Sequence, residues 1–156
     1  MTDIGSNLTS ERLKIVHGVW RDLAAGRIGP KRDEITPALL RGTTAFTFTI
    51  DVVDGGRDFR FRFAGDRIIQ FIGRRLAGSL LSEIRGARFF DVMHMLYEEC
   101  TRTKAPVARG PVQTTYPGKE FLEIETIILP LSEDGQTVSC LFGAMDSRQV
   151  GQPYSA

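Results

Sequence analysis

The stretch from Ala45 to Arg62 constrains this chain more than any other. Phe46, Phe48, Ile50 and Val52 alternate with Thr47, Thr49, Asp51 and Val53. Asp54-Gly55-Gly56-Arg57 then supplies turn chemistry, and Phe59, Phe61 and Phe63 alternate with Arg60 and Arg62. Two period-two runs joined by a Gly-Gly turn predict a β-hairpin with its phenylalanines on the core face. The opposite face sets Asp51 across from Arg60 and Arg62, close enough to pair.

The rest of the chain is ordered around this hairpin. Residues 1–10 read as a flexible leader. Residues 11–29 read as an N-terminal flanking helix and its exit, with Leu13, Val16, Trp20 and Leu23 on one face, Ile15 and Val19 beside it, and a stop at Gly26 and Gly29-Pro30. Residues 27–43 are a connector rich in charge and breakers. After the hairpin the period becomes helical. One short helix carries Ile68, Ile69, Phe71 and Ile72. Another carries Leu76, Leu80, Leu81 and Ile84, bracketed by Gly78 and Gly86. A longer one from about Arg88 to Thr103 has the stripe Phe89, Met93, Leu96 and Cys100. Pro106 ends this zone. Strands are predicted over Val107–Tyr116, Phe121–Leu131 and Thr137–Met145, with turns at Pro117-Gly118 and Asp134-Gly135. Residues 147–156 read as a flexible tail. The order implies an α+β fold: a five-stranded antiparallel sheet with helices gathered on one face.

Composition closes off several functions. The chain has 156 residues, 42 % apolar and 25 % charged, which suits one globular domain. Its 20 basic and 19 acidic residues leave a net charge of +1 and no field to hold a polyanion. Arg57, Arg60, Arg62, Arg67, Arg74 and Arg75 are interleaved with Asp51, Asp54, Asp58 and Asp66, which favours local pairs over a nucleic-acid groove. Cys100 and Cys140 have no metal-type spacing and sit among apolar neighbours, so they read as buried free thiols. Met1 to Ser10 lacks the pattern of a secretory signal, and no apolar run is long enough for a membrane. A cytoplasmic location is the expectation.

Several segments together resemble the PAS domain superfamily, and within it a bacterial subfamily of short single-domain proteins. They are Trp20 with Gly26-Arg27, Pro30-x-Arg32-Asp33 and Pro37, and then Asp58-Phe59-Arg60-Phe61-Arg62-Phe63-x-Gly65. Phe71-x-Gly73-Arg74, Gly78 ahead of Leu81, and Glu125-x-x-x-Leu129-Pro130-Leu131 complete the set. The resemblance spans roughly residues 12–145 and places the PAS-like domain over 30–146. It implies a non-enzymatic sensory or interaction domain that binds a small ligand or a partner and signals through dimerisation or another chain. No second module fits in 156 residues, so a separate signalling protein or a second copy would carry the output.

The resemblance also sets which cofactors to weigh. Flavin photosensors of this superfamily carry a reactive cysteine after the first helices. Phe71 to Leu76 has none, so covalent flavin chemistry is not expected and non-covalent flavin stays open. Haem-binding members use a histidine of the long helix, where His94 lies, although a lone histidine here reads more simply as a rim residue. His17 reads as a helix-interface residue. Asp91, His94 and Glu98 share a helix edge but lack a second ligand pair, so no metal site is expected. No GxSxG turn or other catalytic set appears, and Asp54-Gly55-Gly56 precedes a strand, so it is a turn and no phosphate cradle. The residues expected to line any internal pocket are Phe48, Phe61, Phe71, Phe89, Met93, Ile124 and Phe142, all equally good core residues. Leu13, Val16, Trp20 and Leu23 serve a homodimer seam and packing on the chain's own sheet equally well. A ligand-free structural adaptor remains the third reading.

Overall fold

The computed structural model describes residues 4–84 and 88–155. The helix expected at the N-terminus forms as α1, Glu11–Ala24. Ser10 caps it by accepting the Leu13 N–H, and Ala25 ends it in the left-handed region at φ 48°. The hairpin follows as β1, Thr47–Val53, and β2, Asp58–Ala64. Gly55 and Gly56 turn it with φ of 66° and 105°. Three helices come next: α2, Asp66–Ile72; α3, Leu81–Ile84; and α4, Arg88–Thr103. Then come β3, Val107–Gln113; β4, Leu122–Leu131; and β5, Cys140–Gln149. The strands form one antiparallel sheet in the order β2-β1-β5-β4-β3.

Both faces of the sheet are covered, and β4 and β5 serve both. Ile124, Ile128, Leu141 and Met145 point to one face, where α2, α3 and α4 pack with Phe48, Ile50, Phe59 and Phe61. Ile127, Leu129, Leu131, Cys140, Phe142 and Ala144 point to the other, where α1 buries Leu13, Val16, Trp20 and Ala24. This parity is the period of two of a pleated strand. Gly143 lies on the first face, where a Cβ would stand 2.2 Å from the Phe48 ring, so only glycine lets that ring lie on the β5 backbone.

Several expectations change in three dimensions. Phe63 is 41 % exposed and not in the core. A register shift pairs Thr49 with Phe63 but Ile50 with Phe61, so Arg62 is an extra residue that turns Phe63 outward. Phe46 leaves the strand for a short 3₁₀ turn, Thr44–Phe46. Arg62 pairs with Asp51 at 2.9 Å, whereas Arg60 instead donates to the Gly78 carbonyl at 2.7 Å. The second short helix shrinks to α3. Leu76 stays buried ahead of it, because Gly78 and Ser79 exchange backbone bonds with Phe61 along the β2 edge. The stop expected at Gly86 lies outside the described residues. The leader holds a core residue, Leu8, at 5 % exposure. The first residues of the tail belong to β5, which pairs Gln149 with Leu122.

Candidate functional site

The interior beneath α4 is the first place to look for a bound molecule. Phe48, Phe61, Phe89 and Met93 meet there, together with Ile68, Ile72, Leu76, Phe90, Tyr97 and Met145. Phe71 stands one layer away, with its ring 5.6 Å from that of Phe89 and 5.4 Å from that of Tyr116. The Tyr116 hydroxyl donates to the Ile72 carbonyl and ties β3's exit to α2. Ile124 is in the same core but not against the cavity. Phe142 is separated from it by the sheet and packs with α1, a correction that follows from strand parity around Gly143. The six lining residues that were not expected sit on α2, α4 and β5 or just after α2. The α2 periodicity could have found Ile68 and Ile72, and alternation with Leu141 could have found Met145.

The space beneath α4 is about 20 Å³. That is room for about one water molecule. A pocket for a drug-sized ligand or cofactor runs to roughly 300–1,000 Å³. The aromatic rings fill the difference: Phe59 lies edge-on to Tyr97 at 5.4 Å, and Phe89 edge-on to Phe90 at 5.3 Å. Burial pushes the Tyr97 hydroxyl and the Cys100 thiol far above their ordinary ranges, so both stay neutral. Neither haem nor flavin fits this interior.

His94 does not line the cavity. Its ring lies edge-on to Phe59 at 5.5 Å, with Nε2 3.3 Å from the Arg57 carbonyl and Nδ1 3.7 Å from Glu98. It braces the hairpin turn against α4. Nearby, burial pushes the Asp58 carboxyl up, but hydrogen bonds from the Ser82 hydroxyl and the Phe59 and Ser82 N–H groups outweigh it and hold Asp58 below its usual range. Among the described residues no group of three His, Cys, Asp or Glu side chains is placed to hold a metal. None of their helices is long and apolar enough to cross a membrane.

The opposite face holds a polar clasp that sequence reasoning missed. Glu125 on β4 and Asp146 on β5 face each other in register, at 0 % and 3 % exposure. The Thr9 and Ser10 N–H groups donate to Glu125 at 3.0 and 2.8 Å. The Ser10 hydroxyl donates to Asp146 at 2.6 Å, and Arg12 pairs with Asp146 at 3.2 Å. Two buried carboxylates side by side are tolerable only with such donors. Further along, the Trp20 indole donates to the Pro130 carbonyl at 2.8 Å. Leu13 and Val16 are fully buried and Leu23 is half-buried, so α1's main stripe is used on the chain's own sheet.

Beside α1, the outer face of β1, β2 and β5 carries an apolar groove of about 230 Å³. Ile35, Pro37, Leu40, Phe63, Leu131 and Phe142 form most of it. The profile of one family, described as the PAS domain, matches residues 8–146. No curated protein and no solved structure matches the chain.

Proposed function

Because the chain belongs to the PAS domain family, we propose that it is a non-catalytic interaction module that passes its signal to another chain or a second copy. The closed interior carries this reading: a space of about 20 Å³ leaves contact through the surface as the direct means of output. The groove around the outward-turned Phe63 supports it, since exposed aromatic side chains next to a concave apolar surface are what protein interfaces use. Self-association through α1 would use its half-buried Ile15, Val19 and Leu23, because Leu13, Val16 and Trp20 are committed to the sheet. The two free, buried cysteines suit a reducing cytoplasm.

Two measurements on the purified chain test this. Its absorbance spectrum is expected to show no chromophore beyond the protein's own, and a co-purified haem or flavin would overturn the reading of the interior. Light scattering across a concentration series is expected to show a dimer weakened by Val19→Glu. A monomer at high concentration rejects self-association and leaves a heterologous partner as the output.

A further inference from the structure

We propose that a cleft at the end of the sheet, outside the aromatic interior, binds a small organic carboxylate with an apolar body. The cleft lies between α2 and the ends of β4 and β5 and has a volume of about 210 Å³. Its floor is Ile68, Phe71, Leu122 and Met145, and its cations are Arg67 and Lys119. Gln70, Ser147 and Ser155 make the rest of the wall polar and open to solvent, and the volume is large enough for one ring with a short acidic arm.

The charge pattern selects an anion. The Phe46 ring carries two guanidinium groups, Arg12 at 4.3 Å and Arg67 at 5.5 Å from its centroid. Arg12 is neutralised by Asp146 at 3.2 Å. Among the described residues neither Arg67 nor Lys119 lies within ion-pair distance of a carboxylate. Arg67 therefore brings an exposed, unpaired charge to the rim of an apolar floor, where a carboxylate would accept charge-assisted hydrogen bonds from it. Asp146 also forms part of the wall. Its pairing with Arg12 leaves Arg67 and Lys119, among the described residues, as the unpaired cations of the cleft.

The position gives such binding a route to the rest of the fold. Ile68 and Met145 line both the cleft and the interior cavity. Asp146, the next residue of β5, holds Ser10 and Arg12 at the start of α1. An occupant thus touches residues of the aromatic core and the Asp146 that holds the start of α1. This inference stands apart from the interaction reading, since a ligand here neither needs nor excludes a protein partner.

The test is calorimetric titration with phenylacetate, with 2-phenylethanol as its uncharged counterpart and with inorganic phosphate. Saturable binding of phenylacetate is expected, with the alcohol and phosphate each weaker by about tenfold or more, the scale of one charge-assisted bond. Arg67→Gln, a change on the exposed side of α2, should weaken phenylacetate by a similar factor while circular dichroism stays unchanged. A Met145 methyl resonance should shift on titration, with Met93, which lines only the interior, less affected. Absence of saturable binding overturns the proposal. So does equal affinity for the alcohol or phosphate, an unchanged affinity in Arg67→Gln, or a larger shift at Met93 than at Met145.

Discussion

Gly143→Ala tests the packing on which the closed interior depends. Gly143 sits in extended β5 without a positive φ, so the backbone accepts alanine. On backbone grounds alone the change should stabilise by about 0.4–1 kcal/mol, because alanine restricts the unfolded chain. Packing opposes it. The new Cβ would stand 2.2 Å from two carbons of the Phe48 ring, where ordinary contact begins at 3.4 Å. The ring would have to retreat by about 1.2 Å. Tyr97 stands behind it, with ring centroids 6.2 Å apart, and the adjoining cavity of about 20 Å³ is already bounded by Phe61, Met93 and Tyr97. Overpacking of this kind costs about 1–3 kcal/mol. The net expectation is a loss of up to about 2.6 kcal/mol, centred on about 1.3, or a Tm lower by up to about 10 °C for a domain of this size. Urea denaturation followed by circular dichroism, with a thermal scan, measures it. The double variant with Phe48→Leu identifies the cause: alanine at 143 should cost less there, with a coupling of at least about 0.5 kcal/mol. A more stable Gly143→Ala protein, or one whose cost is unchanged beside Phe48→Leu, refutes the account.

Four further outcomes are expected. Ser10→Ala removes the cap of α1 and one donor to buried Asp146, and denaturation should show a loss of about 1–3 kcal/mol; a loss too small to measure would mean the clasp does not hold α1. Trp20→Phe keeps an aromatic ring but a smaller one and leaves the Pro130 carbonyl without its donor, and the same assay should read a loss of about 2 kcal/mol or more. Burial pushes Cys140 up to about 12 and Cys100 further, so a thiol reagent at neutral pH should label neither cysteine in the native protein and both after unfolding; rapid native labelling would contradict their placement. The Thr137 N–H and then the Gln136 N–H hold Asp134 down to about 2, against 3.8 without them. The unfolded chain then binds its proton more readily, so this group's contribution is present above pH 4 and is lost as the pH falls toward 2. Asp134→Asn should flatten that part of the stability curve, and an unchanged curve counts against the turn.

Much of the fold was legible because period alone carries it. The alternation through Phe48 and Ile50 marked β1, and the stripe Phe89, Met93, Leu96 and Cys100 marked α4. Period says which residues share a face, and it is silent on which face that is. Phe142 and Phe48 look alike in the sequence, yet their register around Gly143 puts them on opposite sides of the sheet. Phe63 keeps the alternation of its neighbours and still points outward, because a bulge at Arg62 has no local signature. Several motif residues behind the family resemblance find distant partners in space. Trp20 donates to Pro130, and Glu125 takes the Thr9 and Ser10 amides. Such pairs join segments more than 100 residues apart, so spacing along the chain does not reveal them.

The sharing of β4 and β5 between two cores limits how this chain can change length. Deleting one residue from either strand would exchange everything beyond it between the two faces. Ile128 would leave the aromatic layer for the surface that packs on Trp20, while buried Glu125 or Asp146 would be driven among the phenylalanines or lose its partners. A two-residue change preserves parity and only shifts the ladder. The exposed part of the link between these strands, Glu133 to Thr137, pairs with neither and can absorb insertions one residue at a time, whereas Ser132, Val138 and Ser139 are tied to Pro30, the core and Val52. For grafting or circular permutation, that loop is the place to cut, and the strands on either side must be lengthened or shortened in twos.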